Sequence, residues 1–384
     1  MQTVETPALP GSGEANLAVA PDGRVLLSWI EPVGDKGHRL RLASRASGSG
    51  WSPPFTIAEG SGWFVNWADF PAVVALPDGT LFAHWLAKSG TSPYAYDIRI
   101  TRSRDGGRTW SAPVTPHRDG LPAEHGFVSM APSRTGEAGI VWLDGRKTPH
   151  VPHAGHEGAA PEAMSLMHTT LDAEGRLGPE TVLDDRVCDC CQTDAVAAAG
   201  TTVVVYRDRS EKEVRDISIV RLADGRWWPP QSLAHDGWEI NGCPVNGPAI
   251  AATGSNVAVA WFTAARGEPR VKVAFSRDAG ASFDPAIVVD EGRPLGRVDV
   301  VALEDGAALV TWLEKTDKGA AVRVRRVARD GSASHALTVA DSDAARSSGF
   351  PRTVRSGNEV TIAWRDSAEP PRVRTAAIAI GAND

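Results

Sequence analysis

Seven short β-branched runs punctuate this chain, and each ends in an aromatic residue: VLLSW at Trp29, LFAHW at Trp85, IVW at Trp142, VVVY at Tyr206, VAVAW at Trp261, LVTW at Trp312 and TIAW at Trp364. Successive marks are 56, 57, 64, 55, 51 and 52 residues apart. Near-constant spacing over the whole length points to one architecture built by repetition, not to a set of independent domains. Every mark sits in the same local frame. A small-residue strand and a Gly-containing turn precede it, as in PAVVALPDG, DAVAAAG and PAIAATG, and a third strand follows, as in YDIRITRS or RVKVAFS. A tight turn and a weaker fourth strand close the unit. Period-2 patterning, frequent turn residues and no amphipathic helical run make the chain all-β.

Four-stranded units of this length describe a single β-propeller, in which radial packing leaves only short edges unpaired. The count is seven blades, with six as the alternative, at approximately 14–58, 65–116, 125–183, 189–233, 240–289, 295–339 and 347–381. The last unit runs out after its third strand, RVRTAAIAI, while TVETPAL at the start of the chain is strand-like and otherwise unplaced. Residues 2–9 are therefore expected to supply the outer strand of the last blade and close the ring.

The turns between third and fourth strands carry a second repeat. Residues 103–110 read SRDGGRTW and 276–283 read SRDAGASF, with a worn copy, SRASGSGW, at 44–51. The first string resembles the Asp-box (bacterial neuraminidase repeat) motif of sialidase-like propellers, and the second is a close variant. The residues that carry it are Ser103, Asp105, Gly107 and Trp110, then Ser276, Asp278, Gly280 and Phe283. The physical reading is a hairpin clip: Asp accepts backbone N–H bonds, Gly takes a positive φ, and the aromatic packs between strands. The resemblance covers the whole chain for architecture. For activity it implies a sialidase-type exo-glycosidase with an arginine clamp, a Tyr nucleophile paired with a Glu, and an Asp acid/base. On these positions that assigns Asp69, Tyr94 or Tyr96, Arg297 and Arg352, with Arg207, Arg209 and Arg215 as further members of an anion clamp. This sequence lacks the R-I-P string of sialidases and counts seven blades where six are usual, so the fold resemblance is the firmer one.

In a propeller blade, the start of the inner strand and the turn joining strands two and three share one face. That places Glu14, Asn16, Trp67, Asp69, Glu124, His125, Asp194, Asn246, Arg297, Asp299, Phe350 and Arg352 around one axial mouth. The four cysteines, Cys188, Cys190, Cys191 and Cys243, fall at the inner-strand starts of adjacent blades. The long blade 3 turn over the same face carries His150, His153 and His156, near His125. Gathered thiolates raise one another's pKa and need either disulfides or a cation, and soft sulfur ligands with imidazole suit copper first and zinc second.

Three functions stay open from these readings: a Cys/His soft-metal site for redox or metal handling, a sialidase-type glycosidase, and a non-catalytic scaffold with a disulfide-stapled mouth. The ligand expected at the mouth is a small molecule or glycan. Lys plus Arg number 40 against 47 Asp plus Glu, which gives nucleic acid no attraction. No apolar run is long enough to span a bilayer. Cysteines at a funnel together with Asp boxes suggest an extracytoplasmic monomer, periplasmic or secreted, whose signal peptide is not part of this sequence.

Overall fold

Alternation along the second strand of each blade turns the aromatic marks inward between neighbouring sheets. Trp29, Trp142, Trp261 and Trp312 are fully buried. A buried indole N–H needs a partner, and each of these has a carboxylate. Trp29 donates to Glu31 at 2.7 Å, Trp142 to Asp144 at 2.8 Å, Trp312 to Glu314 at 2.5 Å and Trp261 to Asp236 at 2.8 Å. In three of the four the acceptor lies two residues on along the same face of the strand, so the motif W-x-[DE] satisfies itself.

The structure, a computed structural model, describes residues 1–133, 136–148 and 163–380. These residues form seven antiparallel sheets, and the fold is a seven-bladed β-propeller. The inner strands are Gly13–Val19, Val73–Ala75, His125–Pro132, Asp194–Ala198, Ala249–Thr253, Pro294–Ala302 and Arg352–Ser356. Each touches the next around the axis, and the seventh touches the first. The ring is closed by the start of the chain: Gln2–Val4 pairs antiparallel with Thr375–Ala377 and completes the blade that began at Arg352. Blade 2 departs from the four-stranded expectation. It has three strands, Val73–Ala75, Leu81–Lys88 and Tyr96–Ser103, and its outer edge is reduced to isolated bridges, Tyr96 with Glu124 and Ile100 with Val114. Pro113 and Pro116 flank the second of these, and a residue without an N–H cannot extend a ladder. No helix among the described residues is long and apolar enough to cross a membrane.

Both intact Asp boxes form the clip their sequence suggests. Asp105 accepts the backbone N–H groups of Arg108 and Thr109 at 3.0 and 2.9 Å, and Ser103 accepts that of Gly107 at 2.9 Å. Asp278 accepts Ser282 N–H at 2.9 Å, and Ser276 accepts Gly280 N–H at 2.9 Å. Each clip docks on the preceding blade. A Cβ on Gly107 would meet Leu42 Cδ2 at 2.6 Å, whereas one on Gly106 would meet nothing within 4 Å; both glycines have positive φ, 88° and 73°. Gly107→Ala is therefore expected to cost about 2–3 kcal/mol, combining backbone strain with overpacking, and Gly106→Ala only the strain, about 1 kcal/mol. Chemical denaturation of the pair checks this, and equal losses would mean that the docking of clip on blade contributes nothing.

Candidate functional site

The polar residues that open the inner strands share a first task, which is to latch one blade to the next. Asp69 accepts Phe127 N–H at 2.8 Å, Asp194 accepts Ile250 N–H at 2.9 Å, Asn246 accepts Arg297 N–H at 2.6 Å and Asp299 accepts Thr353 N–H at 2.6 Å. Thr193 donates to Phe127 O at 2.8 Å across the remaining junction on that side, between blades 3 and 4. These bonds lie along an axial channel of about 340 Å³ bordered by Asn16, Asp69, Gln192, Asp194, Phe350 and Arg352.

Beyond its latch, Asp69 belongs to a buried chain of acids around a phenol. Tyr96 Oη lies 3.1 Å from Asp69 Oδ2 and 2.8 Å from Glu124 Oε1. Phe64 stacks on the Tyr96 ring at 3.9 Å, and Asp69 and Tyr96 are buried while Glu124 is half-buried. Burial, with the Glu124 charge adding to it, pushes the Asp69 carboxyl up to about 8, against the Phe127 and Tyr96 hydrogen bonds. Burial and the two carboxylates push the Tyr96 phenol well above its usual range. Burial thus favours the protonated form of Asp69 at the border of the channel and the un-ionised form of the tyrosine behind it. Tyr94 is different: it is exposed on the loop before the third strand of blade 2, and among its described partners is Ser92. Of the two tyrosines named from the resemblance, only Tyr96 meets Asp69.

The five arginines do not gather into one clamp. Arg207 is buried and donates to the carbonyls of Asn246, Arg215 and Phe262. Arg209 and Arg215 both pair with Glu213, and Arg209 also with Asp189. These three hold the 206–216 segment together. The remaining two stand at the mouth among aromatics. Arg297 lies 4.8 Å over Trp67, and Arg352 lies 5.4 Å over Phe70 and 3.4 Å from Asp299. Trp67 stacks on Phe350 at 5.9 Å. Arg297 donates to Ala345 O, Ser348 Oγ and Gly349 O. Among the described residues no carboxylate lies within ion-pair distance of it, and burial lowers its pKa to about 10. Burial also raises Asp299, to about 6, against the pull of Arg352.

The cysteines come together at the junction of blades 4 and 5, but not as four free ligands. Cys190 and Cys243 form a disulfide, while Cys188 and Cys191 are free and buried. Cys188 Sγ is 3.0 Å from Cys191 Sγ and 4.0 Å from Cys190 Sγ. Lacing between the two loops positions them: Gln192 donates to Ala68 O at 2.6 Å and accepts Gly247 N–H at 3.0 Å. A Cβ at Gly247 would lie 2.0 Å from Gln192 O, so only glycine permits this approach. Arg215 Nη1 is 3.4 Å from Cys188 Sγ. Burial would raise the Cys188 thiol, but the hydrogen bond shared with Cys191 and the Arg215 charge outweigh it and bring the pKa to about 6. Burial and the Cys188 charge push Cys191 well up. Of the two, Cys188 is the one whose ionisation its surroundings favour. The counter-charge that the sequence argument required is Arg215, a residue that argument placed in an anion clamp.

His125 joins a separate cluster. Its ring stacks on His117 at 3.7 Å, and its Nε2 lies 2.9 Å from Asp119 and 3.8 Å from Asp144. Arg146 fills the space between Asp119 and Asp144, at 3.1 and 2.7 Å. Among the described residues, the compact groups of metal-ligating side chains are Cys188 with Cys190 and Cys191, and two sets around His125; none combines sulfur with imidazole. The expected joint Cys/His site is not assembled there, because a disulfide takes Cys190 and Cys243 and carboxylates take His125. His150, His153 and His156 lie outside the described residues.

The BNR repeat-like domain family matches residues 37–362. No curated protein sequence matches the chain. Among solved structures the chain is similar to a protein of unknown function from Dyadobacter fermentans, at 15% identity over 99% of this chain and 98% of that one, with a TM-score of 0.55. It is similar to the polysaccharide lyase Uly1 at 10% identity over 96% and 90%, with a TM-score of 0.58. The NanB sialidase of Streptococcus pneumoniae matches at 10% identity over 93% and 83%, with a TM-score of 0.51. At these identities the likeness is one of fold.

Proposed function

The chain belongs to the BNR repeat-like domain family, and from that premise we propose that its axial mouth binds an acidic saccharide and that Asp69 is the proton donor of a glycan-cleaving site. The observation that carries this reading is Arg297: a buried guanidinium 4.8 Å over Trp67, with no carboxylate within ion-pair distance among the described residues and Asp343 acting on it only from farther off. A desolvated cation of this kind gains from an incoming anion, and the half-buried Trp67 beneath it makes the surroundings of that cation apolar. Arg352, beside Asp299, is the second cation at the mouth. Asp69 borders the channel and carries a proton near neutral pH, which is the state a general acid needs to protonate a leaving oxygen. Tyr96 stands behind it and steadies it together with Glu124, so the carboxyl rather than the phenol meets the ligand. Two of the three similar structures are named as a polysaccharide lyase and a sialidase, which supports a saccharide as the ligand class.

The test is calorimetric titration of sialyl-oligosaccharides and uronate oligosaccharides, followed by product analysis. Arg297→Ala should weaken binding at least about tenfold, the loss expected for a charge-assisted pair. Asp69→Asn should abolish cleavage, since the amide still accepts Phe127 N–H but has no proton to give. Absence of binding to every acidic saccharide by the wild type would overturn the reading. Binding that is indifferent to Arg297→Ala would overturn the assignment of the anion site.

A further inference from the structure

Spacing and exposure set the four cysteines apart from a structural staple. Cys188 and Cys191 stand at i and i+3, a C-x-x-C dithiol, with their sulfurs 3.0 Å apart. Cys190, between them in sequence, is bridged to Cys243 on the next blade. Cys188 and Cys191 are buried, whereas Cys243 is exposed on its loop. A buried dithiol thus lies against a disulfide whose far half, Cys243, is an exposed residue, with 4.0 Å between Cys188 Sγ and Cys190 Sγ. The guanidinium of Arg215, 3.4 Å from Cys188 Sγ, favours negative charge on the attacking side.

We propose that these four cysteines form an intramolecular thiol–disulfide relay that moves two electrons from the buried Cys188/Cys191 pair to the Cys190–Cys243 bridge and so delivers a reactive thiol at the surface. In the first step the Cys188 thiolate attacks Cys190 Sγ; the Cys188–Cys190 bond forms, the Cys190–Cys243 bond breaks, and Cys243 leaves as thiolate. In the second, Cys191 passes its proton to the Cys243 thiolate and attacks Cys188 Sγ, 3.0 Å away. The Cys188–Cys191 bond forms and Cys190 leaves as thiolate. One disulfide is made and one reduced, the two protein thiols exchange places, charge is conserved, and no outside oxidant is consumed. The exposed Cys243 is then where an external disulfide or electrophile reacts, and an external dithiol resets the buried pair. This relay is independent of any saccharide at the mouth.

The experiment is alkylation of the folded protein carrying one disulfide per chain, using N-ethylmaleimide, with acid quench and peptide mapping by mass spectrometry. Wild type should accumulate label on Cys243 and Cys190 while a Cys188–Cys191 linkage appears. Cys188→Ser should label Cys243 at least tenfold more slowly and keep the Cys190–Cys243 bridge. Cys191→Ser supplies a signal that misfolding cannot produce: Cys243 labelled, with Cys188 linked to Cys190. Wild type that keeps the Cys190–Cys243 bridge and an unlabelled Cys243 would overturn the relay. So would equal Cys243 labelling in wild type and Cys188→Ser, or two disulfides per chain that persist through the labelling.

Discussion

Removal of residues 1–9 should lower the unfolding midpoint by roughly 5–10 °C and leave a sticky edge. The segment does more than cap a sheet. Gln2–Val4 pairs with Thr375–Ala377, Thr375 Oγ1 donates to Val4 O at 2.7 Å, Thr6 Oγ1 donates to Val373 O at 2.7 Å, and Arg372 donates to Thr6 O at 2.9 Å. Ala8 is buried in the core shared by blades 1 and 7. At about 1 kcal/mol net for each hydrogen bond, the loss is on the order of 3–5 kcal/mol, and a large domain yields about 2 °C for each kcal/mol. Val373–Ala379 would then be an unpaired edge, which invites pairing between chains. Scanning calorimetry reads the midpoint and gel filtration the association. An unchanged midpoint with a monomeric profile would show that closure rests on the other inter-blade contacts.

Asp69→Asn should become more stable than the wild type as pH rises. Burial lifts the Asp69 carboxyl from 3.8 to about 8 in the folded protein, so the folded state holds this proton more tightly than the unfolded chain. The stabilisation is complete below about pH 4, is lost progressively between pH 4 and 8, and changes no further above that. Asparagine carries no such dependence while still accepting Phe127 N–H. The difference between the two proteins therefore grows in the variant's favour across that window, to at most roughly 6 kcal/mol. Asp299, raised to about 6, contributes the same sign to both proteins and cancels. Urea denaturation at pH 4, 6 and 8 checks the trend. A constant difference would mean that Asp69 titrates normally, and the proton donor of the proposed site would be lost with it.

The architecture was legible because its determinants are local. Period-2 alternation, the W-x-[DE] pairs and the Asp-box clips each act within a few residues, so seven marks and an orphan first strand specified seven blades and their closure. Blade 2 escaped in part, since the effect of Pro113 and Pro116 on its outer edge depends on which strand they would have to pair with. The set of residues that open the inner strands was readable for the same reason, because strand order alone decides which ends share a face.

What those residues do with one another belonged to the tertiary structure. Cys190 rather than Cys188 or Cys191 meets Cys243; Tyr96 rather than Tyr94 meets Asp69; Arg215 reaches both Glu213 and a sulfur, while Arg297 has no carboxylate within ion-pair distance among the described residues. Each outcome turns on distances of a few ångströms between side chains on different loops and strands, within one blade for Tyr96 with Asp69 and across two for Cys190 with Cys243. Coulombic and hydrogen-bond energies change steeply over that range, and sequence spacing does not measure it. The C-x-x-C of Cys188 and Cys191 was present in the string all along. It took the packing of Gly247 against Gln192 to bring a disulfide beside it.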